Sequence, residues 1–154
     1  MRCRLLLRRG RPEVVSEVRS VAIDANVIVS FFVERNETQR VAARALLTKA
    51  EEGEIIAIVP QFVIFEVTYV LQSQYGLTGE RLATVIRDII AFPGVHLIDD
   101  CPWKRVMDVW PNPIPSLADA ALAVVAMTNR YDAVATFDRK LAKRLKDFGV
   151  AAYW

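Results

Sequence analysis

Short runs of consecutive apolar residues alternate along this chain with longer stretches of helical periodicity, each bounded by Gly, Pro or a helix-capping residue. Residues 21–23 and 55–59 are β-branched or otherwise apolar on adjacent positions, the pattern of strands buried within a parallel sheet, and residues 95–98 and 133–137 predict two more strands. Residues 150–153 predict one more strand, at an edge. Between these runs lie a short apolar helix over 27–33, a second helix capped by Asn36 or Thr38 and stopped before Gly53, and a third within 61–76. The second helix carries Val41, Ala45, Leu46 and Lys49 on its faces, with Arg40 and Arg44 one turn apart on the other side. The third, QFVIFEVTYVLQSQYG, is too continuously apolar for a surface helix and is expected to be buried. Thr78 opens a helix to about residue 91, and Pro93-Gly94 turns the chain into the third strand. Asp100 is expected to cap a helix running through Val109. Three prolines in five positions, Pro111 to Pro115, forbid regular structure, so the next helix starts at Ser116. The last helix, basic and amphipathic, ends at Gly149. Two helices between most successive strands predict a three-layer α/β/α domain around a central, mostly parallel sheet.

Composition narrows the classes. At 154 residues and 53% hydrophobic the chain suits one domain with a sizeable core, and no apolar run approaches a membrane span. Cys3 and Cys101 make neither a disulfide framework nor a zinc pattern. With His96 the only histidine, and read as an ordinary strand residue, a His-based zinc site or a Ser-His-Asp triad has nothing to build on. The net charge of +2 conceals a division: residues 1–20 carry six Arg against two Glu, a balance of +4 that leaves −2 for residues 21–154. The first nineteen residues are therefore expected to be a flexible basic extension, as from a start codon assigned too far upstream, and residues 20–154 the folded domain. Leu5 to Leu7 is too short for a signal-peptide core, so a cytoplasmic protein is expected. RNA or DNA binding requires local basic patches.

Four acids break the apolar pattern. Asp24 follows the first strand, with no other charge between Arg19 and Glu34. Glu66 is the only charge between Glu54 and Glu80, and Asp119 the only one between Asp108 and Arg130. Asp138 ends Thr136-Phe137-Asp138, just past the fourth strand. Each has a structural alternative: Asp24 as a helix cap, Asp119 as the acid of a capping box with Ser116. Asp99 and Asp100 are read as structural. Yet two strand ends and two apolar helices are where an open α/β sheet gathers a site, in the crevice outside the carboxyl ends of its strands. Clustered carboxylates repel and are tolerable chiefly around a divalent cation. Oxygen donors without Cys or His favour Mg²⁺ or Mn²⁺, which points to phosphodiester chemistry.

Asp24-Ala25-Asn26 after a first strand, Glu66 within Phe-Glu-Val, Leu-Ala-Asp119-Ala-Ala-Leu and Thr136-Phe137-Asp138 together resemble a PIN-domain ribonuclease, most nearly the VapC-type toxins of toxin–antitoxin pairs. The resemblance covers about residues 20–154. It implies a Mg²⁺- or Mn²⁺-dependent endoribonuclease, usually a homodimer, silenced by a small cognate antitoxin that covers apolar surface near the first two helices. By position Asp24, Glu66, Asp119 and Asp138 match the family's acidic catalytic and metal-binding residues. Asn26 and Thr136 match polar residues that hold the carboxylates in place. RNA would meet local cations, with Arg35, Arg40, Arg44, Arg139, Lys140 and Lys143 as candidates. Two other readings compete. One is a catalytically idle PIN domain kept for binding RNA or protein. The other is a receiver-type signalling domain, which needs a single helix between successive strands and an adjacent acidic pair that Asp24-Ala25 does not supply.

Overall fold

A computed structural model describes residues 18–154; the basic extension expected over residues 1–19 lies, up to residue 17, outside the described residues. The chain runs β1 (Arg19–Ile23), α1 (Ala25–Phe32), α2 (Glu37–Glu51), β2 (Ile55–Pro60), α3 (Gln61–Tyr75), α4 (Gly79–Ala91), β3 (Val95–Ile98), α5 (Trp103–Val109), α6 (Leu117–Asn129), β4 (Ala133–Ala135) and α7 (Arg139–Asp147). The strands form one parallel sheet in the order β3-β2-β1-β4. Helices flank it in a three-layer α/β/α arrangement. The crossovers β1–β2, β2–β3 and β3–β4 each contain two helices, a topology a receiver-type domain does not have.

Burial follows the apolar pattern of the strands in β1, β2 and β4, whereas β3, at the edge of the sheet, has His96 and Leu97 exposed. Val21, Ala22 and Ile23 of β1, and Ala133, Val134 and Ala135 of β4, are fully inaccessible, because each strand is covered on both faces. On α6, Ala120 through Ala126 are all buried, and its Ala residues let the helix pack closely against its neighbours. Asn36 caps α2 by accepting a hydrogen bond from the Gln39 amide, and Ser116 caps α6 by accepting one from the Asp119 amide at 3.2 Å.

Five local expectations are corrected. The fourth strand ends at Ala135, not Phe137: the Phe137 amide donates to Asn26 Oδ1, and the Thr136 hydroxyl bonds to Asp24, so both residues leave the ladder for side-chain partners. Residues 150–153 form a single bridge, Val134 to Ala152, rather than a strand. The helix after Asp100 begins at Trp103 with Pro102 at its cap position, and Asp100 lies two residues too early to cap it. On α2 the buried face is Ala43, Leu46, Leu47 and Ala50, while Val41 is exposed. Most consequential is α3. Only Val63, Val67 and Leu71 are buried, and Phe65 and Tyr69 stand 65% and 69% exposed, so its apolar run is not a sign of burial all round.

Candidate active site

In a parallel sheet every strand ends at the same edge, and helices that return across the sheet begin there. Asp24 stands one residue past β1. Asp138 stands three past β4 and is the N-cap of α7. Glu66 lies in the second turn of α3, directly after β2, and Asp119 in the first turn of α6, which leads back into β4. The four acids expected to form the site thus come from four elements to one sheet edge.

Asp24 is the buried member, 6% exposed. It occupies the N-cap position of α1, but its side chain makes no capping bond. Instead the Thr136 hydroxyl donates to Asp24 Oδ2 at 2.6 Å and the Asn26 amide donates to the same oxygen at 2.8 Å. Asn26 Oδ1 in turn accepts from the Phe137 backbone amide at 3.1 Å, and Thr136 Oγ1 accepts from the Asp138 amide at 3.0 Å. Asn26 and Thr136 thereby tie the ends of β1 and β4 together around the Asp24 carboxylate. The Asp138 side chain has a second occupation, since its Oδ1 caps α7 by accepting from the amides of Lys140 and Leu141.

The acids share an electrostatic field. Burial raises the Asp24 carboxyl above its ordinary value; the Thr136 hydrogen bond opposes this, and the Asp138 charge adds to it. Burial, then the charges of Asp24 and Asp119, push Glu66 up to about 7. Burial, then Asp24 and Asp138, push Asp119 up to about 6, against the Ser116 hydroxyl and the Arg144 guanidinium. Each ionised carboxylate therefore disfavours its neighbours, and a divalent cation relieves that repulsion. The donor set, all oxygen, fits Mg²⁺ or Mn²⁺. Among the described residues, however, no three His, Cys, Asp or Glu side chains stand close enough together to make a ready-made coordination sphere. Long-range repulsion and ligand distance are separate conditions, and only the first is met here.

The candidate cations divide. Arg40 is committed to Glu34, in the loop before α2, and to Glu37 at 3.1 and 2.8 Å, a surface ion-pair network. Arg35 and Arg44 are exposed on or beside α2, and Arg139, Lys140 and Lys143 are exposed on α7, whose first turn adjoins Asp138. Sequence reasoning passed over Arg144, whose charge acts on Asp119. It also missed the stacking of Phe137 on Trp154, whose ring centroids are 4.6 Å apart. An aromatic residue between Thr136 and Asp138 was the available signal.

Comparison with known proteins agrees with this geometry. The family model described as PIN domain matches residues 21–146. Among solved structures, the fold is similar to Mycobacterium tuberculosis VapC20, described as a sarcin-ricin loop cleaving toxin, at 13% identity and TM-score 0.65 over 80% of this chain and 94% of that one. It is also similar to PAE2754 from Pyrobaculum aerophilum, at 17% identity and TM-score 0.58 over 86% of this chain and 96% of that one. No curated protein matches the sequence.

Proposed function

Because the chain belongs to the PIN-domain family, whose members are generally nucleases, we propose that it is a metal-dependent endoribonuclease of the VapC-like toxin kind, hydrolysing RNA phosphodiester bonds under the control of a small antitoxin. The observation that carries this reading is the shared field of Asp24, Glu66, Asp119 and Asp138 at the carboxyl edge of the sheet. Asp24, Glu66, Asp119 and Asp138, whose oxygen donors suit Mg²⁺ or Mn²⁺, would have to close around the ion to hold it. Such an ion, when bound, lowers the pKa of an attacking water and neutralises charge on the scissile phosphate.

The protein's own part is positioning and proton handling. Thr136 and Asn26 fix the Asp24 carboxylate through their bonds to Oδ2, so its charge is aimed without reorganisation when substrate arrives. Glu66, half-buried with a carboxyl pushed up to about 7 in the metal-free protein, would give up its proton as it takes up the ion, since a cation favours its charged form. Arg139, Lys140 and Lys143, exposed on α7, would meet backbone phosphates beside the site.

For the protein partner, an antitoxin or a second copy in a homodimer, two stretches of surface come into question. Of the large apolar side chains on α1 and α2 only Val41 is exposed, whereas Phe65, Ile90 and Leu97 line a groove of about 430 Å³ between α3, α4 and β3.

Purified protein should cleave structured RNA with Mg²⁺ or Mn²⁺ and stop in EDTA, and Asp24→Asn and Glu66→Gln should lose cleavage while remaining folded. The sarcin-ricin loop, the target named for VapC20, is the first RNA to try, and sequencing of cleaved ends would map the site. Activity that survives chelation, or that a zinc-specific chelator alone abolishes, would count decisively against the carboxylate site. RNA binding without cleavage would mark the domain as a binding module.

A further inference from the structure

A groove of about 480 Å³ opens between the first turns of α2 and the turn from β4 into α7, lined by Asn36, Thr38, Gln39, Phe137, Arg139 and Trp154. Phe137 and Trp154 are stacked, their planes 18° apart, and Trp154 remains 49% exposed. Tyr153 meets the Trp154 ring edge-on at 5.2 Å, which holds the indole from a second side. An aromatic pair braced in this way is a preformed platform for another flat ring, since stacking on it costs little ordering of the side chains.

Its place in the fold is what gives the groove a ligand. Phe137 sits between Thr136 and Asp138, and its backbone amide is bonded to Asn26, so the platform is joined through one residue to the network around Asp24. Along the wall, Asn36 and Gln39 have their amide oxygens occupied, by the Gln39 backbone amide and the Ser30 hydroxyl respectively. Among the described residues neither side-chain NH₂ donates a hydrogen bond, so each has a donor for an incoming acceptor. Arg139 forms no ion pair among the described residues, which suits a phosphate. On the other side of Trp154 a second groove of about 360 Å³ continues past Ala42 to Arg19, Lys49 and Tyr153, with Arg19 over the Tyr153 ring at 6.0 Å. Aromatic faces interleaved with cations along a groove are the chemistry that tracks single-stranded nucleic acid.

We propose that the Phe137–Trp154 pair forms a nucleobase subsite, seating one unstacked base of single-stranded RNA beside the carboxylate edge while Arg139 takes the adjoining phosphate. The subsite rests on the endoribonuclease reading and adds to it how the strand is placed. Its polar donors match the carbonyl acceptors of a base better than the apolar side chains of a peptide.

The test compares a fluorescein-labelled single-stranded RNA of mixed sequence with an abasic ribose-phosphate oligomer of equal length, by anisotropy, in an Asp24→Asn background that prevents cleavage. With Trp154 intact the RNA should bind about tenfold tighter than the abasic chain, the size of one base–aromatic stack. Trp154→Ala should erase that preference, and Trp154→Phe should keep most of it. Arg139→Ala should instead weaken both oligomers by the same factor, because it reads phosphate. A Trp154→Ala protein that melts like its parent and keeps the full preference would overturn the subsite and leave the groove to a protein partner. So would an RNA and an abasic chain that bind equally while Trp154 is intact, a comparison that needs no variant at this position. Where the RNA binds but Trp154 is indifferent, the subsite fails alone; where neither oligomer binds, the nuclease reading falls with it.

Discussion

Glu66 is a half-buried carboxyl pushed up to about 7 by burial and by the charges of Asp24 and Asp119. That shift runs opposite to the usual stabilising carboxylate, and its sign decides how stability depends on pH. The folded state binds the Glu66 proton more tightly than the unfolded chain, whose carboxyl titrates near its ordinary value of 4.5. The contribution to stability is therefore complete below about pH 4.5 and is lost as pH rises through about 7. Asp119, pushed up to about 6, acts in the same direction over a lower window. Metal-free protein should melt progressively lower between these limits, and Glu66→Gln, which holds no proton to lose, should flatten the decline. Because both groups are about half solvent-screened, the effect is a few degrees, on the order of 1 kcal/mol. Melts in EDTA across pH would check it; a wild-type melting temperature that climbs steadily from pH 4.5 to 7, with no change in slope for Glu66→Gln, would show that the acids do not repel one another.

At the scale of elements, the entry into β3 is the most constrained joint. Gly94 has φ of 79°, and a Cβ there would lie 2.1 Å from the backbone oxygen of Ala50, at the end of α2. Its own carbonyl accepts from the Ala57 amide of β2 at 3.0 Å, so it cannot move away without losing the register of β3 on β2. Gly94→Ala should cost ~3 kcal/mol, a fall of about 10 °C in the melting temperature, by adding left-handed strain to a backbone clash. A variant melting within a degree or two of the parent would mean that the α2–β3 packing is looser than described. The Pro-Gly dipeptide made this turn legible, as the β-branched runs made the strands legible, because turn chemistry and two-sided burial act locally. What was not legible depended on partners distant in sequence. Thr136 and Phe137 look like strand, yet they are drawn off by Asp24 and Asn26, more than a hundred residues earlier. Phe65 and Tyr69 look like core, yet no element among the described residues covers them.

For the molecule as a whole, parallel topology explains why the acidic residues could be grouped from sequence: once four strands point one way, residues at their carboxyl ends share an edge wherever they lie in the chain. The Phe137–Trp154 platform had no such rule behind it, since it joins the last strand's exit to the chain's final turn. The grouping itself makes an opposite-sign prediction for stability and activity. Asp24→Asn removes one charge at nearly constant shape, and because Thr136 and Asn26 both donate to Oδ2, an amide oxygen at that position keeps both bonds. Relief of repulsion on Glu66 and Asp119 should then raise the metal-free melting temperature by a few degrees, ~1 kcal/mol, while cleavage is lost. Mg²⁺ should raise the melting temperature of the wild type by binding the folded state preferentially, and that of the variant much less. If Asp24 were only a structural acid, the variant would melt lower with or without Mg²⁺, and activity would decline only as folding does. Thermal melts of both proteins in EDTA and in Mg²⁺ separate the two, and a lower-melting variant whose response to Mg²⁺ equals that of the wild type would remove Asp24 from the site.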